Sequence, residues 1–107
     1  MLLIYKDEIL KEISEKVPKL DKEVVEIILF GSVARGDFSP LSDLDLLIIT
    51  KDRPRTKKLF SQFAQRLYLK TGVIFSTKYL TPKEFETAID PFYHTIKDEG
   101  KVLWKKV

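Results

Sequence analysis

Apolar residues recur every three to four positions from Tyr5 to Lys16. Ile9, Ile13 and Val17 form one stripe, Leu10 lies beside it, and charges fill the other positions. That spacing predicts an amphipathic helix, which Pro18 ends. The period then changes. Val24–Phe30 is a continuous apolar run rich in β-branched residues and broken only by Glu26, so it reads as a buried strand. Gly31–Gly36 reads as a turn plus a short helix, and Ser39-Pro40 marks a loop before Ser42. Asp43–Thr50 predicts a second strand. A charged, proline-containing connection, Lys51–Arg55, leads to a helix over Thr56–Lys70. There Leu59, Phe60, Phe63 and Leu67 face the core, and Gly72 takes the position just past the end.

Val73–Leu80 predicts a third strand. Thr81-Pro82-Lys83-Glu84 is a capping box with proline at the first helical position, and its helix carries Phe85 and Ile89. Asp90-Pro91 repeats the cap-then-proline signal and opens a helix to about Glu99. Gly100 ends it, and Val102–Trp104 adds a short edge strand. The order α-β-α-β-α-β-α-α-β predicts an α/β (α+β) domain: a small mixed β-sheet with helices packed mainly on one face. No repeat, low-complexity tract or linker interrupts it. At 107 residues the expectation is a single domain over 1–107, too small for a second lobe around a large substrate.

Composition narrows the chemistry. A hydrophobic fraction of 44% fits a globular chain. A charged fraction of 33% gives a salt-rich surface compatible with a heat-stable source. The absence of cysteine excludes disulfides, thiolate metal sites and a cysteine nucleophile. The apolar start, Met1–Tyr5, is too short for a signal segment, and no run reaches membrane-spanning length, so the expected location is the cytoplasm. The net charge of +3 is mild, shows no basic stripe along the sequence and accompanies no aromatic-rich RNA-binding motif. Nucleic acid is therefore not the expected partner.

The chemistry concentrates between residues 29 and 46. Asp43 and Asp45 stand one residue apart at the start of a strand, so their side chains share a face. Adjacent carboxylates repel, and a divalent cation between them removes the repulsion. Magnesium suits such a site because it takes oxygen ligands and shares them with phosphates. Read alone, the pair also fits two strand-start residues, one capping the turn before it and one solvated. Gly31-Ser32 follows the first strand. A glycine there lets a phosphate approach the backbone, the helix after it aims N–H groups outward, and the serine hydroxyl adds a donor. Arg35, three residues on, could reach a phosphate, or it could pair with Asp37 or Asp43.

A strand, Gly31-Ser32, ten residues, then Asp43-Leu44-Asp45 on another strand: this order resembles the nucleotidyltransferase superfamily related to DNA polymerase β, and within it the minimal nucleotidyltransferase branch. Arg35-Gly36 and Ser42-Asp43-Leu44-Asp45 match that branch. So do the leading helix, Thr81–Phe85 and Gly100–Trp104. The resemblance implies the nucleotidyltransferase fold. It also implies a nucleoside triphosphate, ATP or another, whose β- and γ-phosphates sit at Gly31 and Ser32, and Mg2+ held by Asp43 and Asp45. An acceptor hydroxyl would attack the α-phosphorus and pyrophosphate would leave. It further implies a second protein or a homodimer to complete the pocket. The partner would be a small helical HEPN-type protein in a toxin–antitoxin pair, with a partner tyrosine as the acceptor that receives AMP.

One feature departs from the pattern. The family uses a third carboxylate on the strand after the central helix. Here that strand reads Val-Ile-Phe-Ser-Thr-Lys-Tyr-Leu, and counting back from Thr81-Pro82 puts Ser76 at the position. Serine is a poor magnesium ligand and no base at neutral pH. The chain is then a slow enzyme, or borrows a group from a partner, Glu84 or Asp37, or is a catalytically degenerate nucleotide- or partner-binding module. Of the remaining residues, Phe60, Phe63 and Phe85 are expected in the core. Lys57-Lys58 and Lys105-Lys106 read as solvated charges, and the single histidine, His94, as a surface or packing residue. Trp104 fits either a core edge or an interface.

Overall fold

The computed structural model describes residues 2–36 and 43–107, and their side chains except those of residues 2–6, 32 and 33. The elements are α1 (Leu2–Leu20), β1 (Val24–Phe30), α2 (Gly31–Ala34), β2 (Leu44–Thr50), α3 (Arg53–Thr71), β3 (Phe75–Leu80), α4 (Pro82–Thr87), α5 (Pro91–Glu99) and β4 (Lys101–Lys105). The expected order and the mixed sheet are both present. The four strands lie in the order β3-β2-β1-β4. β1 runs antiparallel to β2 and β4, whereas β2 and β3 are parallel and are joined by the crossover helix α3.

Alternation along the strands builds two cores. Leu44, Leu46 and Ile48 of β2 face α1 and α3, where Ile9, Ile13, Val17, Phe60, Phe63 and Leu67 close the larger core. Leu47 and Ile49 face the other way, toward Ile96 of α5 and Phe85 of α4. The two long helices therefore share one face, and the two short ones cover the other. A register shift between Val24 and Glu26 in β1 explains how Val24 and Ile27, three apart, both enter the larger core.

Three local departures have clear causes. α1 continues through Pro18 to Leu20. A proline in the last turn removes a single ladder bond, and the Asp21 N–H still reaches the Val17 carbonyl at 2.9 Å. α3 starts at Arg53 rather than Thr56, because the Asp52 side chain accepts the Arg55 N–H at 3.1 Å and Pro54 fits the first turn. α4 stops at Thr87, short of Ile89, which is 91% exposed. The segment before Pro91 must be extended, as Ala88 and Asp90 are.

The α1–β1 corner is pinned by buried polar groups. Asp21, only 1% exposed, accepts the Thr56 hydroxyl at 2.6 Å and the Glu23 N–H at 3.0 Å. Thr56 also meets the Thr50 hydroxyl at 2.6 Å. Arg55 Nε approaches Asp21 Oδ1 at 3.5 Å from the solvent side. This network ties the start of α3 to the corner, and so fixes the helix that carries the chain from β2 to β3.

Candidate functional site

Each strand end contributes one part of the site. β1 ends at Phe30, which pairs with Asp45 across the antiparallel ladder. Gly31 follows with φ of +80°, a conformation glycine adopts without strain. A second constraint acts on the same residue: a Cβ there would run into the Asp45 carboxylate, with Cγ only 3.0 Å away. The turn and the carboxylate thus occupy adjoining space, although 14 positions separate them in the sequence. The Arg35 N–H closes the turn on the Gly31 carbonyl at 3.2 Å.

Asp43 is exposed just before β2, and Asp45 is partly buried within it. Burial raises the pKa of Asp45 above its ordinary value, and the Asp43 charge adds to the effect. Arg35 and Lys78 act in the opposite direction. The structure therefore brings Gly31, Arg35, Asp43 and Asp45 together. The Ser32 side chain, Asp37 and Ser42, along with the Ser39-Pro40 loop, lie outside the described residues.

The register of β2 and β3 settles the position of Ser76. Its Cα partner in the parallel pair is Asp45. Paired residues project from the same face, so Ser76 stands beside Asp45 where a third carboxylate would complete the cluster. Among the described residues, no group of three or more His, Cys, Asp or Glu could hold a metal. Glu84 cannot make up the deficit. It lies beyond Leu80, at the opposite end of β3 and about 13 Å or more from Ser76 along the strand. Its carboxylate is already engaged with the Thr81 N–H at 2.9 Å and Arg53 at 3.3 Å. The Thr81 backbone bond lowers its pKa.

Two neighbours escaped the sequence reading. Lys78 follows Ser76 by two positions and shares its face, with its ammonium 5.6 Å from the Phe92 ring centre. Phe92 packs edge-on against Phe30 at 5.6 Å. Beside Gly31 a cleft of about 280 Å³ is lined by Phe30, Arg35, Phe92, Thr95 and Glu99. The alternation of β3 could have revealed Lys78, but the approach of α5 depends on tertiary packing. His94 is exposed and outside this cluster.

The donor set fits a hard, oxygen-seeking divalent ion. It consists of carboxylates, one partly desolvated and repelled by its neighbour, which a cation would relieve. Asp43 and Asp45 are the residues that would hold it.

Comparison with known proteins identifies the family and the fold. The family model for the nucleotidyltransferase domain matches residues 6–103. A Methanocaldococcus jannaschii protein provisionally named as a protein adenylyltransferase, MJ0141, is 38% identical over 72 residues, covering 64% of this chain and 73% of the relative. A crystal structure from Sulfolobus solfataricus, described provisionally as a nucleotidyltransferase, superposes with a TM-score of 0.64 at 21% identity, covering 98% of this chain and 87% of that one. A toxin–antitoxin structure with AMP-PNP gives 0.59 at 19% identity, covering 90% and 73%. At these identities the two structures attest the fold alone. The sequence match spans nearly the whole chain, and this protein belongs to the nucleotidyltransferase domain family.

Proposed function

We propose that this protein is a metal-dependent adenylyltransferase that moves AMP from ATP to a hydroxyl on a partner protein. The observation that carries the reading is the contact between the Gly31 turn and Asp45, with Asp43 beside it. It joins a glycine turn with paired carboxylates at one strand end. The β- and γ-phosphates lie at the N–H groups of the turn, and the absence of a side chain at Gly31 makes room for the Asp45 carboxylate beside them. Arg35 adds positive charge to the same end of the site. Asp43 and Asp45 would hold the divalent ion beside the phosphates. When bound, Mg2+ neutralises charge on the phosphate oxygens. The acceptor oxygen forms a bond to the α-phosphorus as the bond to the bridging oxygen breaks, pyrophosphate leaves, and the acceptor proton passes to water.

The name of MJ0141 and the toxin–antitoxin neighbour with AMP-PNP support a protein acceptor. A tyrosine of a HEPN-type toxin fits that description, with this chain as antitoxin; a homodimer is the other way to complete the pocket. Ser76 favours a second reading, a nucleotide- or partner-binding module with little turnover. Beside Asp45 it supplies no carboxylate to take up the acceptor proton.

Thermal denaturation with Mg2+ and ATP tests the site. The unaltered protein should be stabilised only when both are present, and Asp43→Asn and Asp45→Asn should abolish the shift. No shift in the unaltered protein refutes the site. Transfer of α-labelled AMP to a co-expressed HEPN-type partner establishes the enzyme. A shift without transfer establishes the binding module.

A further inference from the structure

A groove between α1 and α3 lies on the sheet face opposite Asp45. Both helices pack on the face that carries Leu44, Leu46 and Ile48, whereas Asp45 alternates to the other side with Leu47 and Ile49. The groove encloses about 540 Å³. Its floor is apolar, formed by Leu20, Phe63 and Leu67. Leu20 remains 40% exposed, although Phe63 and Leu67 are buried.

The rim is cationic. Lys16 and Lys19 line it from α1, and Arg66 and Lys70 from α3. The lining has one carboxylate, Glu12, which pairs with Lys16 at 2.7 Å. Four cations against one anion leave a local charge of +3, equal to the net charge of the whole chain. The remaining surface therefore sums to neutrality, and the excess positive charge sits around one apolar slot. In the sequence these cations fall into two pairs nearly fifty positions apart, so no basic stripe is visible. The fold alone assembles it.

We propose that this groove docks an acidic amphipathic helix of a partner protein. The helix would lay its apolar side on Leu20, Phe63 and Leu67 and present Asp or Glu from its flanks to Lys16, Lys19, Arg66 and Lys70. An apolar floor matches a helix that places apolar residues at i, i+3, i+4 and i+7. A phosphate backbone has no apolar surface to place there, and the described lining offers no exposed aromatic face for base stacking. The groove and the strand-end carboxylates lie on different faces. The docked helix therefore tethers the partner from behind and leaves the Asp45 face open to whatever the partner presents. This inference does not depend on the adenylyltransferase reading, and its test measures no nucleotide.

The probe is a labelled helical peptide of about 18 residues with leucine on one side and glutamate on the flanks, titrated with the full chain and read by fluorescence anisotropy. Saturable binding that weakens at least tenfold between about 0.05 and 0.5 M salt supports the proposal. So does a loss of about tenfold or more in Lys19→Glu/Arg66→Glu, against little change in Lys58→Glu/Lys101→Glu, exposed cations outside the groove. Amide shifts confined to α1 and α3 would place the peptide. Equal binding by both double variants overturns the proposal, as do shifts centred on Asp45. Tighter binding of a single-stranded RNA of equal charge overturns it in favour of nucleic acid. Self-association that Leu20→Glu abolishes, with no peptide binding, overturns it in favour of a second copy.

Discussion

Replacing Ser76 by aspartate puts a third carboxylate beside Asp45, and the fold makes the result calculable. Ser76 pairs with Asp45, so a carboxylate there lies one strand spacing away, about 5 Å. Two unit charges at that distance repel by about 1 kcal/mol in water-like surroundings and by about 3 kcal/mol at an effective dielectric constant near 20. Ser76 is exposed and Lys78 shares its face, so screening keeps the cost near the lower figure, about 1–2 kcal/mol. For a domain of this size that corresponds to a fall in Tm of about 5–10 °C without metal. Millimolar Mg2+ should return most of the loss, because the same charges become ligands. AMP transfer should rise by about tenfold or more over the unaltered protein. Differential scanning fluorimetry with and without Mg2+, alongside a transfer assay, reads both effects. Ser76→Asn is the control, because it changes shape and polarity without adding charge. If Ser76→Asn loses as much stability as Ser76→Asp, or if Mg2+ fails to separate them, the electrostatic account of this position is wrong.

Two further outcomes follow from the same charges and their neighbours. Asp45→Asn should stabilise the metal-free protein near neutral pH, because burial and Asp43 raise the Asp45 pKa above its ordinary value of 3.8. A raised carboxylate binds its proton more readily folded than unfolded, so its penalty is full above the folded pKa and is relieved as pH falls through it. The Tm advantage of the asparagine variant should therefore shrink on acidification, and an advantage that grows would contradict this. Asp21→Ala should cost about 2–4 kcal/mol in urea denaturation, because Thr56 and the Glu23 N–H lose a buried acceptor. A loss below about 0.5 kcal/mol would mean that the α1–β1 corner is not held by this network.

Local signals carried much of the fold. Val24–Phe30 reads as a strand from composition alone, and the structure places β1 at those same residues. Thr81 with Glu84, and Asp90 with Pro91, announce α4 and α5, and both caps form as the sequence implies. Each of these rests on chemistry within seven residues. What remained hidden depends on distant partners. Nothing local marks Asp21 as buried, because Thr56, which covers it, lies 35 residues later. Pro18 looks like a stop until its position within the last turn is known. At the candidate site, Gly31, Asp43 and Asp45 were legible by motif, and Ser76 was located by counting. The alternation of β3 marks Lys78 as sharing the Ser76 face, but nothing local shows that α5 brings Phe92 against both Phe30 and Lys78.

The crowding between Gly31 and Asp45 has a thermodynamic consequence. The turn proposed to receive phosphate and the carboxylate proposed to hold the ion adjoin so closely that no Cβ fits between them. Under the proposed function, nucleotide and ion would then not be independent ligands. If the ion fixes the carboxylate where the turn can close on phosphate, nucleotide binds more tightly, and reciprocity requires the nucleotide to tighten the ion by the same factor. On the proposed function, a single glycine without a side chain is thus where the two affinities would become one coupled quantity.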